Sequence, residues 1–478
     1  MSVSETVCNR PLCVDLDGSV VRTDLLFESF LLLLKRNPAY VFLAVLWLLR
    51  GRAVLKAEIA RRVHLDLATL PYDAELLTWL RSERARGRRI WLCTGANEDL
   101  ASAVAAHLGI FDGVIASDAR SNLVGRAKAQ RLVQSFGHRN FDYCGNEWRD
   151  LAIWGRSGGA IVVGSGRALA LQVAAQAQVL QTFSRAPGRA RAIVRALRPH
   201  QWAKNALLFV PLLAAHRAND LNAVAQTALA FVAFCLTASS VYVLNDLLDL
   251  QADRAHVRKC RRPFASGELS VATGLGLAPV LLAAGAILAS FLTPEFRLTL
   301  AGYYTVTMAY SLGLKGMMLI DALSLAGLYT LRVIAGAAAA QVPLSFWLLL
   351  FSVFLFLSLA LVKRYAELDS LRRRGQLQAA GRGYQVEDLP LLETLGISAG
   401  YLSVLVLALY INSPATVPLY RHPEAIWPLC VIMLYWITRI WMKTHRGKMH
   451  DDPVVFALQD RVSMATGLLA ALTVSLAV

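Results

Sequence analysis

From residue 204 onward the chain is a succession of apolar runs that short polar loops interrupt. The nine runs that we interpret as membrane spans lie at about 205–215, 222–244, 270–291, 298–313, 317–340, 344–362, 391–411, 425–442 and 463–478. A helix needs about 20 apolar residues to cross a bilayer, so the first and last spans are the weakest of the set. Residues 1–200 carry frequent charges instead, which predicts a soluble domain followed by an all-α membrane bundle of about nine helices.

Composition excludes several classes of protein. Of the 478 residues 56% are hydrophobic and 17% are charged, which is unlike an ordinary soluble enzyme. The net charge of +16 would suit a nucleic acid, but the sequence has no basic stripe with interleaved aromatics, so we expect no nucleic-acid ligand. Seven scattered cysteines without a CxxC pair indicate a reduced protein without a zinc site. The first residues do not resemble a cleavable signal peptide.

Loop charge predicts the orientation in the membrane. The loops 251–267, 363–388 and 443–461 are long and rich in Lys and Arg, whereas the other loops are short with few positive charges. The positive-inside rule therefore places these three loops in the cytoplasm. We expect an integral protein of the cytoplasmic membrane, with its N-terminal domain in the cytoplasm and its C-terminus on the outer side.

An acidic and then basic stretch, NDLLDLQADRAHVRKCRRPFASGEL, follows the second apolar run. If the helix of that run continues, Asn245, Asp249 and Asp253 lie on one face, with Asp246 about 100° round. Carboxylates this close repel one another unless a cation lies among them, and Mg2+ prefers carboxylates together with phosphate oxygens. The basic residues that would hold the remaining phosphate charge are Arg254, Arg258, Lys259, Arg261 and Arg262. The alternative is an amphipathic helix end with solvated charges.

The first domain shows five short apolar segments that alternate with helical stretches: PLCVDLDGS, RRIWLCTG, GVIAS, DYCGN and AIVVG. This alternation predicts an α/β domain in which helices cover a parallel sheet. In such sheets the functional groups gather at the carboxyl ends of the strands. The polar residues at or just beyond these ends are Asp15, Asp17, Thr94, Lys128, Asn146 and Asp150.

Four motifs in this domain, DLDGS, LCTGAN, GRAKAQRL and GNEWRD, resemble in order those of the haloacid dehalogenase superfamily of phosphatases. The resemblance implies a Rossmann-like fold with a helical cap. It implies that Asp15 is the nucleophile that accepts the phosphoryl group, and that Asp17 is the general acid and then base. It also implies that Thr94 and Lys128 bind the phosphate.

The same resemblance implies a Mg2+ ion bound by Asp15, Asn146 and Asp150. Many members of the superfamily have an acid at the position of Asn146, so this site has one negative charge fewer and a weaker affinity is expected. Two interpretations stay open: an active phosphatase, and a domain retained for scaffolding or regulation.

An apolar insert at about 24–70 separates the first motif from the second. Its runs 25–34 and 40–49 are too short to cross about 30 Å of hydrocarbon singly. One interpretation is the helical cap that the superfamily often carries here. The other is a hairpin that lies on the membrane or docks on the second domain. The basic residues around the insert that suit an anionic lipid surface are Lys35, Arg36, Arg50, Arg52, Arg61 and Arg62.

The domain boundaries follow from composition. We expect a phosphatase-like domain at 1–185, a basic interfacial linker with Pro and Gly at 186–203, and a transmembrane domain at 204–478.

Further polar residues lie at the predicted cytoplasmic ends of the spans or inside them. Arg332 stands alone in an apolar helix, where an unpaired charge is costly, so it should face an acid or a phosphate or form a structural ion pair. The candidate substrate-binding residues of this half are Lys204, Tyr310, Lys315, Asp321, Arg332, Lys363 and Arg364. The late motif HDDPVVFALQDR adds a set for which helix caps and loop charges are the alternative: His450, Asp451, Asp452, Asp460 and Arg461.

The motifs RPHQWAKN, NDLLDLQADRAHVRKCRRPFASG, YSLGLK, LYTLRVIAG and HDDPVVFALQDR resemble the UbiA superfamily of intramembrane prenyltransferases over about 195–478. The resemblance implies that the acidic stretch binds a diphosphate through Mg2+, with Asp246 and Asp249 as catalytic residues. Aromatic prenyltransferases usually have a second DxxxD motif near the fifth span, where this chain has Asp321 alone. The pattern looks most like the polyprenyl-phosphate phosphoribosyltransferases, in which the donor is phosphoribosyl diphosphate and the acceptor is a polyprenyl phosphate.

The two resemblances together imply a two-step enzyme. Transfer would leave a 5-phosphate on the lipid-linked ribose, and a tethered phosphatase would meet this product at high effective concentration. Two alternatives stay open: a transferase that moves a polyprenyl group from its diphosphate to an aromatic or other small acceptor, and a non-catalytic membrane regulator.

Overall fold

The computed structural model describes residues 10–119, 121–164, 166–184, 188–376, 383–413, 420, 422–449 and 452–477. His450 and Asp451 therefore lie outside the described residues. The chain packs into two units. The first contains the described residues up to Leu197 together with Tyr242–Leu277, and the second contains Arg198–Val241 and the described residues from Ala278 onward.

A six-stranded parallel sheet forms the centre of the first unit, in the order β3-β2-β1-β4-β5-β6. Its strands are β1 Leu12–Val14, β2 Ile90–Asn97, β3 Gly113–Ser117, β4 Asp142–Gly145, β5 Gly159–Val163 and β6 Gln178–Phe183. All residues of β5 are buried, as expected of a parallel strand covered on both faces. The predicted α/β fold is thereby confirmed. The edge strand β6 was not predicted, because most of its side chains are exposed and its sequence lacks a continuous apolar run.

Among the described residues, nine helices, several of them short, accompany the sheet in this part of the chain. They are α1 Leu25–Arg36, α2 Tyr40–Leu49, α3 Arg52–Ala60, α4 Ala74–Ala85, α5 Glu98–Leu108, α6 Arg126–Phe136, α7 Leu151–Trp154, α8 Arg167–Gln176 and α9 Arg189–Leu197. The side chain of Asp24 caps α1 by accepting from the backbone N–H groups of Leu26 and Phe27. Helices α1, α2 and α3 build the insert, with a small core of their own that contains Leu33 and Trp47.

The rest of the described chain is helical. Its helices are α10 Val210–Ala214, α11 Leu221–Leu248, α12 Leu250–Ala255, α13 Val271–Ser290, α14 Pro294–Leu312, α15 Ile320–Ala340, α16 Phe346–Arg372, α17 Leu389–Ile411, α18 Pro428–His445, α19 Pro453–Gln459 and α20 Arg461–Ala477. Within the described residues, six segments are long and apolar enough to cross a membrane: α11, α13, α15, α16, and the segments Val386–Ile411 and Glu424–His445 that contain α17 and α18. The predicted all-α membrane class is therefore confirmed.

Three of the nine predicted spans differ from these six. The runs at 298–313 and 463–478 form α14 and the shorter helix α20. The expectation of one continuous apolar helix at 205–215 is wrong, because a 3-10 segment, Pro199–Phe209, precedes the five-residue α10. Pro211 has no N–H for the helical ladder and is tolerated only in the first turn, where it lies here.

Glycine allows close packing between helices of the second unit. A Cβ atom at Gly396 of α17 would lie 2.1 Å from the Trp441 ring of α18, and one at Gly400 would lie 2.6 Å from Ile437. Small residues at helix contacts are typical of membrane bundles, since they let two backbones approach.

Candidate functional site

The first candidate site lies at the carboxyl ends of β1, β2 and β4. Lys128 of α6 donates to Asp15 Oδ1 at 2.7 Å and to the carbonyl oxygen of Cys93 at 3.1 Å. It also donates to the Tyr143 hydroxyl at 2.9 Å, and that hydroxyl donates to Asp150 Oδ1 at 3.0 Å. The structure thus brings three of the predicted residues, Asp15, Lys128 and Asp150, into one buried network.

The loop after β1 places the next two predicted residues. Asp17 Oδ1 accepts from the backbone N–H of Leu25, at the start of α1, at 2.9 Å. Gly18 has φ +75°, and a Cβ there would lie 2.1 Å from Asn146 Nδ2, so this turn favours glycine. The Ser19 hydroxyl donates to Asn146 Oδ1 at 3.3 Å. The loop that carries Asp17 is therefore in direct contact with the loop that carries Asn146.

Thr94 lies in β2 and is fully buried. Its hydroxyl oxygen accepts from the backbone N–H of Ala96 at 3.1 Å, so it faces the strand-end loop. Thr94 therefore lies toward the end of the sheet at which we expected the functional groups.

Burial dominates the electrostatics of this site. It raises the pKa of Asp15 to about 6, although the Lys128 ammonium opposes the shift. Burial, and next the Asp24 carboxylate, raise the pKa of Asp17 well above its usual range. Burial alone would lower the pKa of Lys128, but attraction to Asp15 and Asp150 outweighs it and the pKa is raised. The result is a carboxylate beside a fixed cation, with an acid close by that retains its proton at higher pH than usual.

Lys56 of α3 is a residue of this site that the sequence did not reveal. Its ammonium donates to the Gly95 carbonyl at 2.5 Å and to Asn122 Oδ1 at 2.8 Å. It helps line a pocket of about 60 Å³ together with Asp17 and Asp24. Burial lowers its pKa, and the two carboxylates oppose that shift. The signal in the sequence was only a lysine in an insert that is mostly apolar.

The donors at this edge fit Mg2+ by type, since carboxylate and amide oxygens are hard ligands. A Cβ at Gly145 would lie 2.6 Å from Asp150 Oδ2, so the absence of a side chain leaves room for that carboxylate. Within the described ranges, no three His, Cys, Asp or Glu side chains converge on one point. A site of Asp15, Asp150 and the neutral Asn146 agrees with that finding.

The acidic stretch retains helical backbone hydrogen bonds. Helix α11 continues past Leu244 as far as Leu248, but Asp249, with φ −105° and ψ 16°, separates it from α12. Across this break Asp249 N still donates to the Asn245 carbonyl at 3.0 Å, and Asp253 N donates to the Asp249 carbonyl at 2.8 Å. The side chains are grouped differently from the predicted row. Arg262 Nη1 lies 3.2 Å from Asp246 Oδ1 and 2.6 Å from Asp253 Oδ2. Asp246 and Asp253 therefore share one guanidinium, whereas Asp249 binds Lys35 of α1.

Two other charged residues of the stretch pair with α1. Lys35 Nζ donates to Asp249 Oδ1 at 2.6 Å. Arg254 donates to both carboxylate oxygens of Glu28, and the two side chains are only 4% and 2% exposed. Arg254 Nε also donates to the Ala265 carbonyl at 3.0 Å. A residue that the sequence suggested for phosphate binding thus holds its own loop and the insert together.

The acidic stretch also offers oxygen donors for Mg2+. Asp246 and Asp253 are almost fully buried and share the guanidinium of Arg262. That guanidinium supplies the positive charge that two close carboxylates require. Asp246 and Asp253 would hold a Mg2+ ion through their carboxylate oxygens, and the ion would supply the positive charge that a diphosphate needs. Lys259 lies further along the loop, in a short 3-10 segment, and is exposed.

In the second unit, Arg332 of α15 is buried. Its guanidinium donates to Asn205 Oδ1 at 2.9 Å, to the Leu328 carbonyl at 2.6 Å and to the Tyr303 hydroxyl at 3.1 Å. It also lies 4.9 Å from the centre of the Tyr303 ring and 5.4 Å from that of Phe234. Cation–π contacts and hydrogen bonds thus stabilise this intramembrane charge.

Three predicted residues of the second unit form one buried network. Arg364 Nε lies 2.6 Å from Asp321 Oδ2. The Tyr310 hydroxyl donates to Asp321 Oδ1 at 2.8 Å and accepts from Arg364 Nη2 at 3.1 Å. Arg364 also pairs with Glu367. Lys315 lies nearby in sequence, in the 3-10 segment before α15, and is partly buried.

The late acidic motif is partly structural. Asp452 caps α19 by accepting from the N–H groups of Val454 and Val455, and it also pairs with Lys204. Burial would raise the pKa of Asp452, but Lys204 and Lys363 together lower it. These three residues therefore form one charged cluster in the second unit.

A second group of charged residues from the motif HDDPVVFALQDR is centred on Asp460. Asp460 binds Arg439 at 2.6 Å and Lys443 at 2.8 Å, and it accepts from the N–H of Ser463. Arg461 begins α20. The expected role as a helix cap thus holds for Asp452, and Asp460 anchors α20 to α18.

The profile of the UbiA prenyltransferase family matches residues 206–464, more than half of the chain. The chain belongs to the UbiA prenyltransferase family. The profile of haloacid dehalogenase-like hydrolases matches residues 13–153, so the two resemblances and their order along the chain are confirmed. Family membership and the six apolar helical segments make this an integral membrane protein with a transferase fold.

The similar proteins match either nearly all of this chain or only a portion of it. The uncharacterized protein y4nM of Sinorhizobium fredii is 36% identical over 465 residues, 96% of this chain and 90% of that protein. Nodulation protein NoeC of Azorhizobium caulinodans is 40% identical over 272 residues, 56% of this chain and 87% of that protein. Decaprenyl-phosphate phosphoribosyltransferase of Mycolicibacterium smegmatis is 37% identical over 212 residues, 43% of this chain and 67% of that protein.

Among solved structures, a UbiA homolog from Archaeoglobus fulgidus bound to DMAPP and Mg2+ aligns with a TM-score of 0.46 at 17% identity. The alignment covers 59% of this chain and 96% of that one.

Proposed function

We propose that this protein transfers 5-phosphoribose from phosphoribosyl diphosphate to a polyprenyl phosphate, and that its first domain then removes the 5-phosphate. The observation that carries the proposal is the 37% identity over 212 residues with decaprenyl-phosphate phosphoribosyltransferase. In the stretch from Asn245 to Arg262, the basic residues supply positive charge for a diphosphate leaving group, and the acidic residues would hold Mg2+.

In the transfer step, a phosphate oxygen of the lipid attacks the anomeric carbon of ribose, and the bond from that carbon to the diphosphate breaks. We propose Asp246 and Asp253 as the main residues that would hold Mg2+, which would supply positive charge for the departing diphosphate. Asn245 and Asp249 are further candidate ligands that would have to turn toward this pair, because Asp249 binds Lys35 in the structure. Arg262 is well placed to bind the diphosphate as negative charge develops on it, because its guanidinium already lies between Asp246 and Asp253. We assign both Asp246 and Asp249 to this step.

The remaining candidates would bind phosphate or stabilise the site. We assign the lipid phosphate and the 5-phosphate to cations of the second unit, with Tyr310 and Asp321 orienting Arg364. These cations are Lys204, Lys315, Arg332, Lys363 and Arg364. Lys259 remains a candidate for phosphate binding because its side chain is exposed. Arg254 would instead stabilise the loop on which it lies.

In the phosphatase step, an oxygen of Asp15 attacks the phosphorus atom and the bond to the ribose oxygen breaks. Asp17 gives its proton to that oxygen, and then takes a proton from the water that hydrolyses the aspartyl phosphate. Lys128 and Thr94 hold the phosphate, and Mg2+ at Asp15, Asn146 and Asp150 would reduce repulsion between the nucleophile and the phosphate. The raised pKa of Asp17 suits its first task.

The arrangement in the cell is part of the proposal. We place both steps at the cytoplasmic membrane face, with a phosphatase domain at 1–185, a linker at 186–203 and a transferase domain at 204–478. The C-terminus would lie on the outer side. The support is the excess of Lys and Arg in three long loops.

The test uses membranes that contain either the wild-type chain or Asp15→Asn, supplied with Mg2+, polyprenyl phosphate and labelled phosphoribosyl diphosphate. Asp15→Asn membranes should accumulate lipid-linked phosphoribose, whereas wild type should release inorganic phosphate and accumulate lipid-linked ribose. If wild type accumulates the same phosphorylated lipid, the second step is wrong. A parallel sample with labelled prenyl diphosphate and a small aromatic acceptor tests the alternative transferase.

A further inference from the structure

Helix α2 of the insert exposes an unusually apolar surface. All ten of its residues, YVFLAVLWLL, are apolar or aromatic. Only Ala44 and Trp47 are buried, and they pack against Leu33 and Ile59 of the neighbouring helices. On the opposite side Phe42 is 75% exposed. A soluble cap would bury such a helix, so this exposed surface is suited to contact with an apolar environment and not with water.

The chain keeps the start of α2 close to the end of an apolar helix that is long enough to span a membrane. Lys35, in the last turn of α1, binds Asp249, which directly follows the predicted membrane span Leu221–Leu248. Tyr40 begins α2 five residues after Lys35, so chain length keeps the start of α2 within about 18 Å of the Lys35 backbone. A helix of ten residues is about 15 Å long, too short to cross the bilayer. It is suited to lie in the interface.

A basic cavity of about 460 Å³ lies beside the first residues of α2. It is lined by three arginines and by neutral or weakly basic groups: Arg36, Asn37, Tyr40, Arg61, Arg62 and His64. Glu58 pairs with two of these arginines, Arg61 and Arg62. Arg36 is exposed, and the Arg62 guanidinium lies 4.8 Å above the ring of Trp47. Positive charge beside an apolar helix fits anionic lipid.

We propose that α2 inserts into the bilayer that holds the membrane domain, and that the basic cavity binds the phosphate of an anionic phospholipid. The cavity and the catalytic pocket share α3 and its end. Ile59 and Ala60 line the pocket that contains Asp17, and the next two residues line the cavity. Docking of α2 therefore holds the phosphatase pocket close to the lipid surface, where a lipid-linked phosphate ester is presented.

The test measures lipid contact directly in the full chain. A fluorescent label that reports polarity is attached at Phe42→Cys, in a background with Cys8→Ser and Cys260→Ser, and the protein is reconstituted in phosphatidylglycerol vesicles containing doxyl-labelled lipid. Leu171→Cys on α8 is the matched control, because this leucine is also mainly exposed, at 64%. We expect quenching and a blue-shifted emission at position 42 and neither at position 171. Equal signals at both positions would overturn the proposal.

The cavity is tested in the same vesicles. Arg36→Glu combined with Arg61→Glu should reduce quenching at position 42, and replacing phosphatidylglycerol by phosphatidylcholine should do the same. Hydrolysis of a soluble phosphate ester should stay unchanged, which controls for folding. Inorganic phosphate should not displace the helix; if it does, the cavity binds free phosphate and the lipid assignment is wrong. Self-quenching that grows with protein density would identify a second copy as the occupant and would equally overturn the proposal.

Discussion

Asp15 and Lys128 show how burial and charge together prepare a nucleophile. Their side chains lie 2.7 Å apart and both are largely buried. Desolvation raises the pKa of the carboxyl group to about 6, and the ammonium limits that rise. At neutral pH the carboxylate is therefore ionised and held next to the cation that would bind the incoming phosphate.

This shift predicts a pH dependence of metal binding. A ligand carboxylate must lose its proton before it binds Mg2+, so affinity should rise as pH increases through about 6 in the metal-free protein. Isothermal titration with Mg2+ between pH 5 and pH 8, spanning roughly the range around this pKa, measures the effect. Asp15→Asn should bind more weakly and lose most of the pH dependence. A wild-type affinity that does not change over this range would contradict the assignment of Asp15.

The buried pair of Asp321 and Arg364 predicts a stability effect. Asp321→Asn leaves a buried guanidinium without its main counter-charge, and the free energy of unfolding should fall by about 3 kcal/mol. The control is Asp220→Asn, which removes an ion pair with Arg217 at the surface and should leave Tm almost unchanged. Thermal unfolding of both variants in detergent measures the difference. Equal Tm values would show that the Asp321 pair does not stabilise the fold.

At the scale of elements, helix α1 contacts both the candidate phosphatase site and the acidic stretch of the transferase region. Its first residues lie at Asp17, and its later residues bind the acidic stretch through Glu28 and Lys35. The bidentate Glu28–Arg254 pair is buried and fixes the loop on which Lys259 and Arg262 lie. An insert of the phosphatase-like domain thus positions residues that we assign to transfer.

That contact predicts a transfer defect from a change outside the UbiA region. Glu28→Gln should lower the rate of phosphoribosyl transfer by roughly tenfold, because one lost hydrogen-bonded charge costs about 1.4 kcal/mol or more. Glu28→Asp should restore part of the rate, and hydrolysis of a soluble phosphate ester should remain. Hydrogen exchange of residues 254–265 should increase in Glu28→Gln. Unchanged exchange together with unchanged transfer would contradict a positioning role for Glu28.

Helices and strands could be predicted from the sequence more reliably than the side-chain contacts between them. Alternating apolar segments were sufficient for the parallel sheet, and the motif order was sufficient for Asp15, Lys128 and Asp150 to be grouped correctly. The pairing of Asp246 with Arg262 depends on how a loop folds back over a helix, which spacing alone does not encode. Lys56 was missed for the same reason, since its role exists only once α3 packs over the strand ends. The short segment at 205–215 was misjudged because hydropathy does not distinguish a 3-10 segment from a continuous α-helix.

At the scale of the whole molecule, a transferase of the UbiA family and a haloacid dehalogenase-like domain share one chain. A soluble phosphatase would have to find a dilute lipid-linked substrate, whereas a tethered one meets it at high effective concentration. The whole-chain relative in Sinorhizobium fredii is similar over 96% of this chain, which includes both regions. The fusion therefore favours consecutive reactions on one lipid.

The donor of the transfer step distinguishes the proposed function from its alternatives. Membranes containing the wild-type chain, given phosphoribosyl diphosphate labelled in the ribose together with polyprenyl phosphate and Mg2+, should move the label into the organic-extractable lipid. Asp246→Asn should abolish this incorporation while hydrolysis of a soluble phosphate ester continues. Incorporation of label from prenyl diphosphate into a small acceptor, with none from phosphoribosyl diphosphate, would contradict the proposed function.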